Sequence, residues 1–173
     1  MSGWDLFVAT FASEVGDIPD LEEAYRVGIR LVVAALFGGL LGYEREYRGK
    51  AAGLRTHMLV CVGAALFVLA PLQTEVGHSE VSRVIQGIVT GIGFLGAGTI
   101  LKGGSLREVH GLTTAAGIWM TAAIGVSVGF GHIATAALAT VLALVILMVM
   151  PALEREAGPK APPRQKRGDH AEP

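Results

Sequence analysis

Residues 42–57 read GYEREYRGKAAGLRTH and lie between long apolar runs. Within twelve positions this stretch carries six charged side chains, those of Glu44, Arg45, Glu46, Arg48, Lys50 and Arg55. A charged side chain at the centre of a bilayer costs about 2.5–3.5 kcal/mol even on the lenient insertion scale. The stretch is therefore predicted to be a loop at a membrane surface, and its four basic residues indicate the cytoplasmic side.

The composition agrees with a membrane protein. Of the 173 residues, 51% are hydrophobic and 17% are charged, whereas a soluble domain carries about 25% charged residues. The excess apolar residues fall in long runs, which indicates a single integral membrane domain. The single cysteine, Cys61, excludes an internal disulfide. The first twenty residues have no basic segment before an apolar run, so no signal peptide is expected.

Five apolar runs predict membrane-spanning helices at 27–43, 57–72, 84–101, 111–128 and 133–150. Eleven of the fourteen basic residues then lie in segments on one side of the membrane. The expected fold class is an all-α, five-helix transmembrane bundle with the N-terminus outside and the C-terminus inside.

Two terminal segments flank the predicted membrane domain, which covers residues 27–150. The acidic segment 1–26 is expected to be periplasmic, with residues 4–15 either an amphipathic helix at the outer interface or a loosely ordered terminus. The segment 151–173 is rich in proline and basic residues and is expected to be a disordered cytoplasmic tail near anionic lipid.

Small residues recur on the predicted helices. Arg30 is followed in steps of four by Ala34, Gly38 and Gly42, so it either faces the bundle or extends to the outer interface. The glycines of the third run indicate either tight packing at the bundle centre or a site where backbone meets a ligand. The positions expected to pack helices are Gly38, Gly42, Gly87, Gly91, Gly93, Gly96, Gly98 and Gly117.

Spacing within the charged loop makes a local prediction. Glu44 and Arg48 lie four apart, as do Glu46 and Lys50, which favours surface ion pairs on a continuing helix. The first helix is therefore expected to extend beyond the membrane to about residue 50.

The sequence offers little reactive chemistry. His57 and Cys61 share a helical face but have no third partner nearby, so we expect an interface histidine and a buried thiol. We expect no catalytic residue, metal site, cofactor or nucleic-acid binding. None of the predicted spans contains Asp or Glu, whereas Mg²⁺ favours carboxylate oxygens.

Several motifs carry a family resemblance. The stretches GYEREYRG (42–49), AGLRTH (52–57), GIGFLGAG (91–98) and GLTTAA (111–116) resemble the signature of the MgtC/SapB family over about residues 30–150. This resemblance implies a small helical protein of the bacterial inner membrane; some members are associated with growth at low magnesium, survival in phagocytes and restraint of the rotary ATP synthase. It marks as functional positions Arg30, Glu44, Arg45, Glu46, Arg55, Thr56, Arg83, Gln86 and Thr113.

This chain departs from the family pattern at two points. Glu80 stands where the family more often has Asp, and about twenty residues follow the fifth run, so a short form without a soluble C-terminal domain is expected. The favoured function is a non-enzymatic inner-membrane regulator, linked to adaptation to low magnesium or stress, that contacts lipid and a membrane-protein partner or a second copy. The alternative is a small transporter or channel for Mg²⁺ or another ion.

Overall fold

The computed structural model describes residues 2–16, 20–73, 78–102 and 109–156. Its elements in chain order are α1 (Gly3–Val15), α2 (Leu21–Tyr47), α3 (Leu54–Leu72), α4 (His78–Thr99), β1 (Leu101–Lys102), β2 (Val109–His110), α5 (Leu112–Gly129) and α6 (Ile133–Glu156). The two short strands pair antiparallel. The predicted disordered tail lies outside the described residues from position 157 onward.

Five of these helices are long and apolar enough to cross a membrane, namely α2 to α6. The prediction of an all-α protein with five spans is confirmed, and the chain is a multi-pass membrane protein. The orientation of the bundle stays a prediction, as does the division into segments at residues 26 and 150.

Helix α2 begins before residue 27 and ends after residue 43, so it extends beyond the predicted first span at both ends. The helix begins at Leu21 because the Asp20 side chain accepts a hydrogen bond from the Glu23 backbone at 2.7 Å. It ends at Tyr47 because Gly49 adopts a left-handed φ of 63°. Hydrogen bonds from the Gly49 N–H to the Glu46 carbonyl oxygen and from the Lys50 N–H to the Arg45 carbonyl oxygen complete this Schellman ending. Helix α2 therefore ends three residues before residue 50, the end that the spacing of the charged pairs predicted.

Helices α2 and α3 pack at backbone contact. A Cβ placed on Gly38 would lie 2.6 Å from the His57 carbonyl oxygen, and one on Gly42 would lie 2.7 Å from Cα of Leu54. These two predicted packing glycines therefore permit the close approach of the first two spans.

Helix α5 is the central helix, since half of its span is buried and it packs against α2, α3, α4 and α6. Its close approach to α3 depends on Gly125 and Gly129, where a Cβ would meet the Cys61 and Ala65 carbonyl oxygens. Gly125 lies on the stripe of small polar residues that the sequence shows at positions 113, 117, 121 and 125, whereas Gly129 is not among the predicted packing positions. Cys61 is fully buried, as predicted.

Most glycines of α4 do not pack at the bundle centre. A Cβ at Gly87, Gly91, Gly93 or Gly98 would meet no atom within 4 Å in the described chain, and one at Gly96 would make only ordinary contact with Ala115. The reason is geometric: α4 packs against α5 through isoleucines, while Gly87 and Gly91 line an open, mainly apolar cavity of about 600 Å³ between α3 and α4. The expectation that these four glycines pack tightly at the bundle centre is therefore wrong.

Residues 4–15 lie in helix α1, as the first of the two N-terminal alternatives predicts, and its place at the outer interface stays a prediction. A capping box joins Ser2 and Asp5 at its start. The hydrogen bond from the Ser2 side chain, together with one from the Ser2 backbone, holds the pKa of Asp5 below its usual value of 3.8. Trp4, Phe7 and Phe11 stack along one exposed side, a feature typical of interfacial helices.

Candidate functional site: a buried ion cluster at the end of α2

Two neighbouring charged residues at the end of α2 are buried inside the bundle. Glu44 is 4% exposed and Arg45 is 2% exposed. The Arg45 guanidinium lies 3.6 Å from the Glu44 carboxylate, and the Arg48 guanidinium contacts the same carboxylate at 2.5 Å. Two cations therefore surround one anion. Both contacts are ion pairs that lack the geometry of a hydrogen bond. Neither oxygen of the Glu44 carboxylate has a hydrogen-bond partner among the described residues.

The predicted Glu44–Arg48 pair forms, but it is not the surface pair that the spacing indicated. The side of the helix end that carries Glu44 is buried, whereas Arg48 is partly exposed and also donates to the Met148 carbonyl oxygen of α6 at 3.4 Å. Removing a charge from such a pair costs about 3–5 kcal/mol, compared with at most about 1 kcal/mol at a surface. The ion cluster therefore fixes how the end of α2 sits in the bundle.

Arg45 joins α2 to the first turn of α5. Its terminal nitrogen donates to the hydroxyl of Thr114, which is 2% exposed, over a long distance of 3.3 Å. The sequence selected the neighbouring Thr113, which is exposed. Both hydroxyls belong to the GLTT motif, and only the fold shows which one faces the arginine.

His57 is fully buried beside this cluster, so the expectation of an interface histidine is wrong. Its Nδ1 donates to the Gly53 carbonyl oxygen at 2.9 Å, because a carbonyl can only accept. Its Nε2 has no partner among the described residues and faces Gly117, where a Cβ would lie 3.6 Å away. A mainly apolar cavity of about 230 Å³ adjoins this nitrogen.

Glu46 fixes the loop that follows. Its carboxylate accepts the backbone N–H of Leu54 at 2.8 Å and so caps the start of α3. This contact replaces the expected pairing with Lys50. A Cβ at Gly53 would lie 2.6 Å from an oxygen of the same carboxylate, so a side chain there would displace the carboxylate from this cap. Beyond this cap, Arg55 is exposed and Thr56 is half-buried.

Arg30 lies at the opposite end of the bundle, about 21 Å along α2 from Glu44. Its guanidinium donates to the carbonyl oxygen of Gly129 at 2.9 Å and packs over Gly131. The side chain therefore faces the bundle and neutralises the C-terminal end of α5, whose dipole is negative there. Of the two interpretations of Arg30, this geometry supports the one in which the side chain faces the bundle.

The remaining predicted positions lie apart from the ion cluster. Arg83 is exposed on α4 and forms a loose pair with Glu80 at 3.8 Å, and Gln86 is exposed one turn later. The structure thus brings Glu44 and Arg45 together near the start of α5 and places Glu46 at the start of α3. No three His, Cys, Asp or Glu side chains within the described ranges come close enough to share a metal ion.

A family model and individual known proteins both relate this chain to the same family. The model of the MgtC family matches residues 31–156. Protein MgtC of Brucella abortus is 51% identical over 116 residues, which cover 67% of this chain and 48% of that protein. The Escherichia coli protein named putative magnesium transporter YhiD is 43% identical over 131 residues, covering 70% of this chain and 59% of that protein.

A cyanobacterial relative is matched over more of its own length. Protein SrpB of Synechococcus elongatus is 41% identical over 142 residues, covering 76% of this chain and 78% of that protein. By contrast, the matched region spans about half the length of the Brucella protein. No solved structure gives a significant match.

Proposed function

Because this chain belongs to the MgtC family, we propose that it is a non-enzymatic regulatory protein of the bacterial cytoplasmic membrane that acts by binding a membrane-protein partner. The partner contact is assigned to the exposed basic residues Lys50 and Arg55. The resemblance supports a role of this contact in adaptation to low magnesium or stress.

The observation that carries the proposal is the ordered loop between α2 and α3. The Schellman ending holds its first residues, and the Glu46 carboxylate holds its last. Lys50 on this loop and Arg55 in the first turn of α3 are both exposed. A surface that is ordered before binding loses less conformational entropy when a partner docks, so it suits recognition of an acidic protein surface.

The ion cluster behind the loop favours a regulatory function rather than cation transport. A transported Mg²⁺ ion needs oxygen ligands whose charge is available to it. The Glu44 carboxylate is instead held by Arg45 and Arg48, whose combined charge exceeds its own. A cation beside this carboxylate would meet net repulsion.

Site-specific crosslinking tests the partner contact. A photoreactive benzophenone residue at position 55 in the full chain, in native membranes, should give a discrete heavier product on illumination. The same residue at position 83, which is also exposed but lies on α4, is the matched control and should give none. A product with the mass of two copies of the chain would indicate self-association, and absence of any product from position 55 would contradict the proposal.

A flux assay separates transport from regulation. The full chain in liposomes containing a fluorescent Mg²⁺ indicator should admit Mg²⁺ no faster than empty liposomes. Protein-dependent Mg²⁺ entry would instead establish the transport activity that the name of the Escherichia coli relative suggests for that protein.

Thiol labelling tests the predicted orientation. Cys61 is fully buried, so the native thiol contributes little background. Arg55→Cys should react with an impermeant maleimide in inverted vesicles and not in right-side-out vesicles. The reverse pattern would place this loop outside and overturn the cytoplasmic contact.

A further inference from the structure

A cleft opens beside the ion cluster, between the end of α2, the loop after it and the start of α5. Its volume is about 260 Å³, equal to about eight or nine water molecules in the liquid. Polar groups make up about half of its lining, in contrast to the mainly apolar cavity at His57. The polar side chains that line it are those of Arg45, Lys50, Thr99, His110, Thr113 and Thr114.

The first turn of α5 faces this cleft without a cap of its own. Its N-cap residue, Gly111, makes no capping side-chain bond, and the turn contains no acidic residue. The backbone N–H groups of Leu112, Thr113 and Thr114 have no acceptor within the helix, as in any helix start. Gly111 has a φ of 93°, and its backbone touches the Thr99 carbonyl so closely that a capping side chain cannot fit.

Arg45 is an independent indication of a ligand. It lines the cleft, is 98% buried and has no partner for its Nε among the described residues. Its other contacts are long, 3.6 Å to Glu44 and 3.3 Å to Thr114, and Arg48 lies nearer to the same carboxylate. A buried guanidinium with such weak contacts is costly unless another anion approaches it.

From these two observations we propose that the cleft binds a phosphate group. Helix N-termini bind phosphate through free N–H groups and the positive end of the helix dipole. An arginine supplies a charged fork, and threonine hydroxyls supply further donors. Lys50 lies at the exposed edge, where a second cation attracts the anion. The phosphate belongs either to a lipid headgroup or to a soluble phosphate compound, and the chemistry of recognition is the same.

Binding is tested on the full chain in maltoside micelles, which contain no phosphate. One series receives inorganic phosphate, with chloride at equal ionic strength as its control. The other receives phosphatidylglycerol, with a phosphate-free galactolipid as its control. We expect at least one of the two phosphate sources to raise the Tm saturably and to shift the backbone amide resonances of residues 112–114. A response to inorganic phosphate identifies a soluble source, and a response to phosphatidylglycerol alone identifies a headgroup.

Two pairs of variants assign the response to the cleft. Thr113→Glu places a carboxylate at the uncapped turn, so it should raise the Tm without ligand and abolish the response, whereas the uncharged Thr113→Gln, which loses the hydroxyl but keeps an N–H donor, should weaken the response without abolishing it. Lys50→Gln should weaken binding about fivefold, or about 1 kcal/mol, and Arg55→Gln, which removes the same charge outside the cleft, should not change it. The proposal is overturned if neither source moves the amides of residues 112–114, or if Thr113→Glu leaves the response intact.

Discussion

The fit of α2 against α3 predicts opposite effects for the same substitution at two glycines. Gly38→Ala places a methyl group 2.6 Å from a carbonyl oxygen of α3 and 2.8 Å from the Cys61 Cβ. The first distance is about 0.8 Å shorter than an ordinary contact, and the oxygen belongs to helical backbone that cannot rotate away. Gly91→Ala places the same methyl group in open space on α4.

The magnitudes follow from two competing effects. Alanine improves helix propensity by about 1 kcal/mol at either position. Overpacking costs about 1–3 kcal/mol, and only Gly38 meets this cost. We therefore expect Gly38→Ala to be less stable than Gly91→Ala by about 1–3 kcal/mol, because the propensity gain is common to both variants. For a chain of this size that difference corresponds to about 2–12 °C in Tm.

Thermal unfolding of the two variants in the same micelles, followed by circular dichroism at one scan rate, measures this difference. The wild type should fall between them or close to Gly38→Ala. Equal Tm values for the two variants, or a lower value for Gly91→Ala, would refute the assigned contact between α2 and α3 and would place the packed face of α4 elsewhere.

Three further predictions concern charged groups. Arg30→Gln should lower the free energy of unfolding by about 1.5–3 kcal/mol, because it loses the charged hydrogen bond to the last carbonyl of α5, whereas Arg83→Gln, at an exposed site, should change it by less than about 0.5 kcal/mol in the same denaturation assay. Glu44→Gln should cost about 3–5 kcal/mol, since it leaves two guanidinium groups without their counter-charge; an unchanged Tm would show that the carboxylate is solvated. Because the pKa of Asp5 is lowered in the folded chain, its contribution to the start of α1 should be complete above pH 3.8 and be lost as the pH falls through the folded value; the Ser2 amide resonance should report this step, and Asp5→Asn should remove it.

The spans could be predicted because hydropathy and charge are local properties of the sequence. The glycines at positions 38 and 42 were also predictable, since they follow Arg30 at helical spacing and identify one face. The glycines of α4 show the limit of this reasoning. Their spacing is equally regular, but spacing does not reveal which face of a helix meets its neighbours, and α4 contacts α5 through isoleucines instead.

The ion cluster was predicted only in part. The four-residue spacing of Glu44 and Arg48 indicated their contact, and the resemblance marked Arg45. Their burial depends on α5 and α6 folding over the end of α2, and the Arg45–Thr114 bond joins residues 69 positions apart. No pattern within one segment contains that information. The unpartnered Nε2 of His57 was missed for the same reason.

The central claim is that Glu44 and Arg45, near the end of α2, lie inside the bundle and not in water. Its most direct test compares the exchange of the guanidinium Nε–H protons of Arg45 and Arg55 with solvent, by ¹⁵N NMR of the unmodified chain in micelles. Arg45 is 2% exposed and Arg55 is exposed, so the Arg45 proton should exchange much more slowly. Equally fast exchange at the two positions would contradict the buried cluster and the phosphate cleft that depends on it.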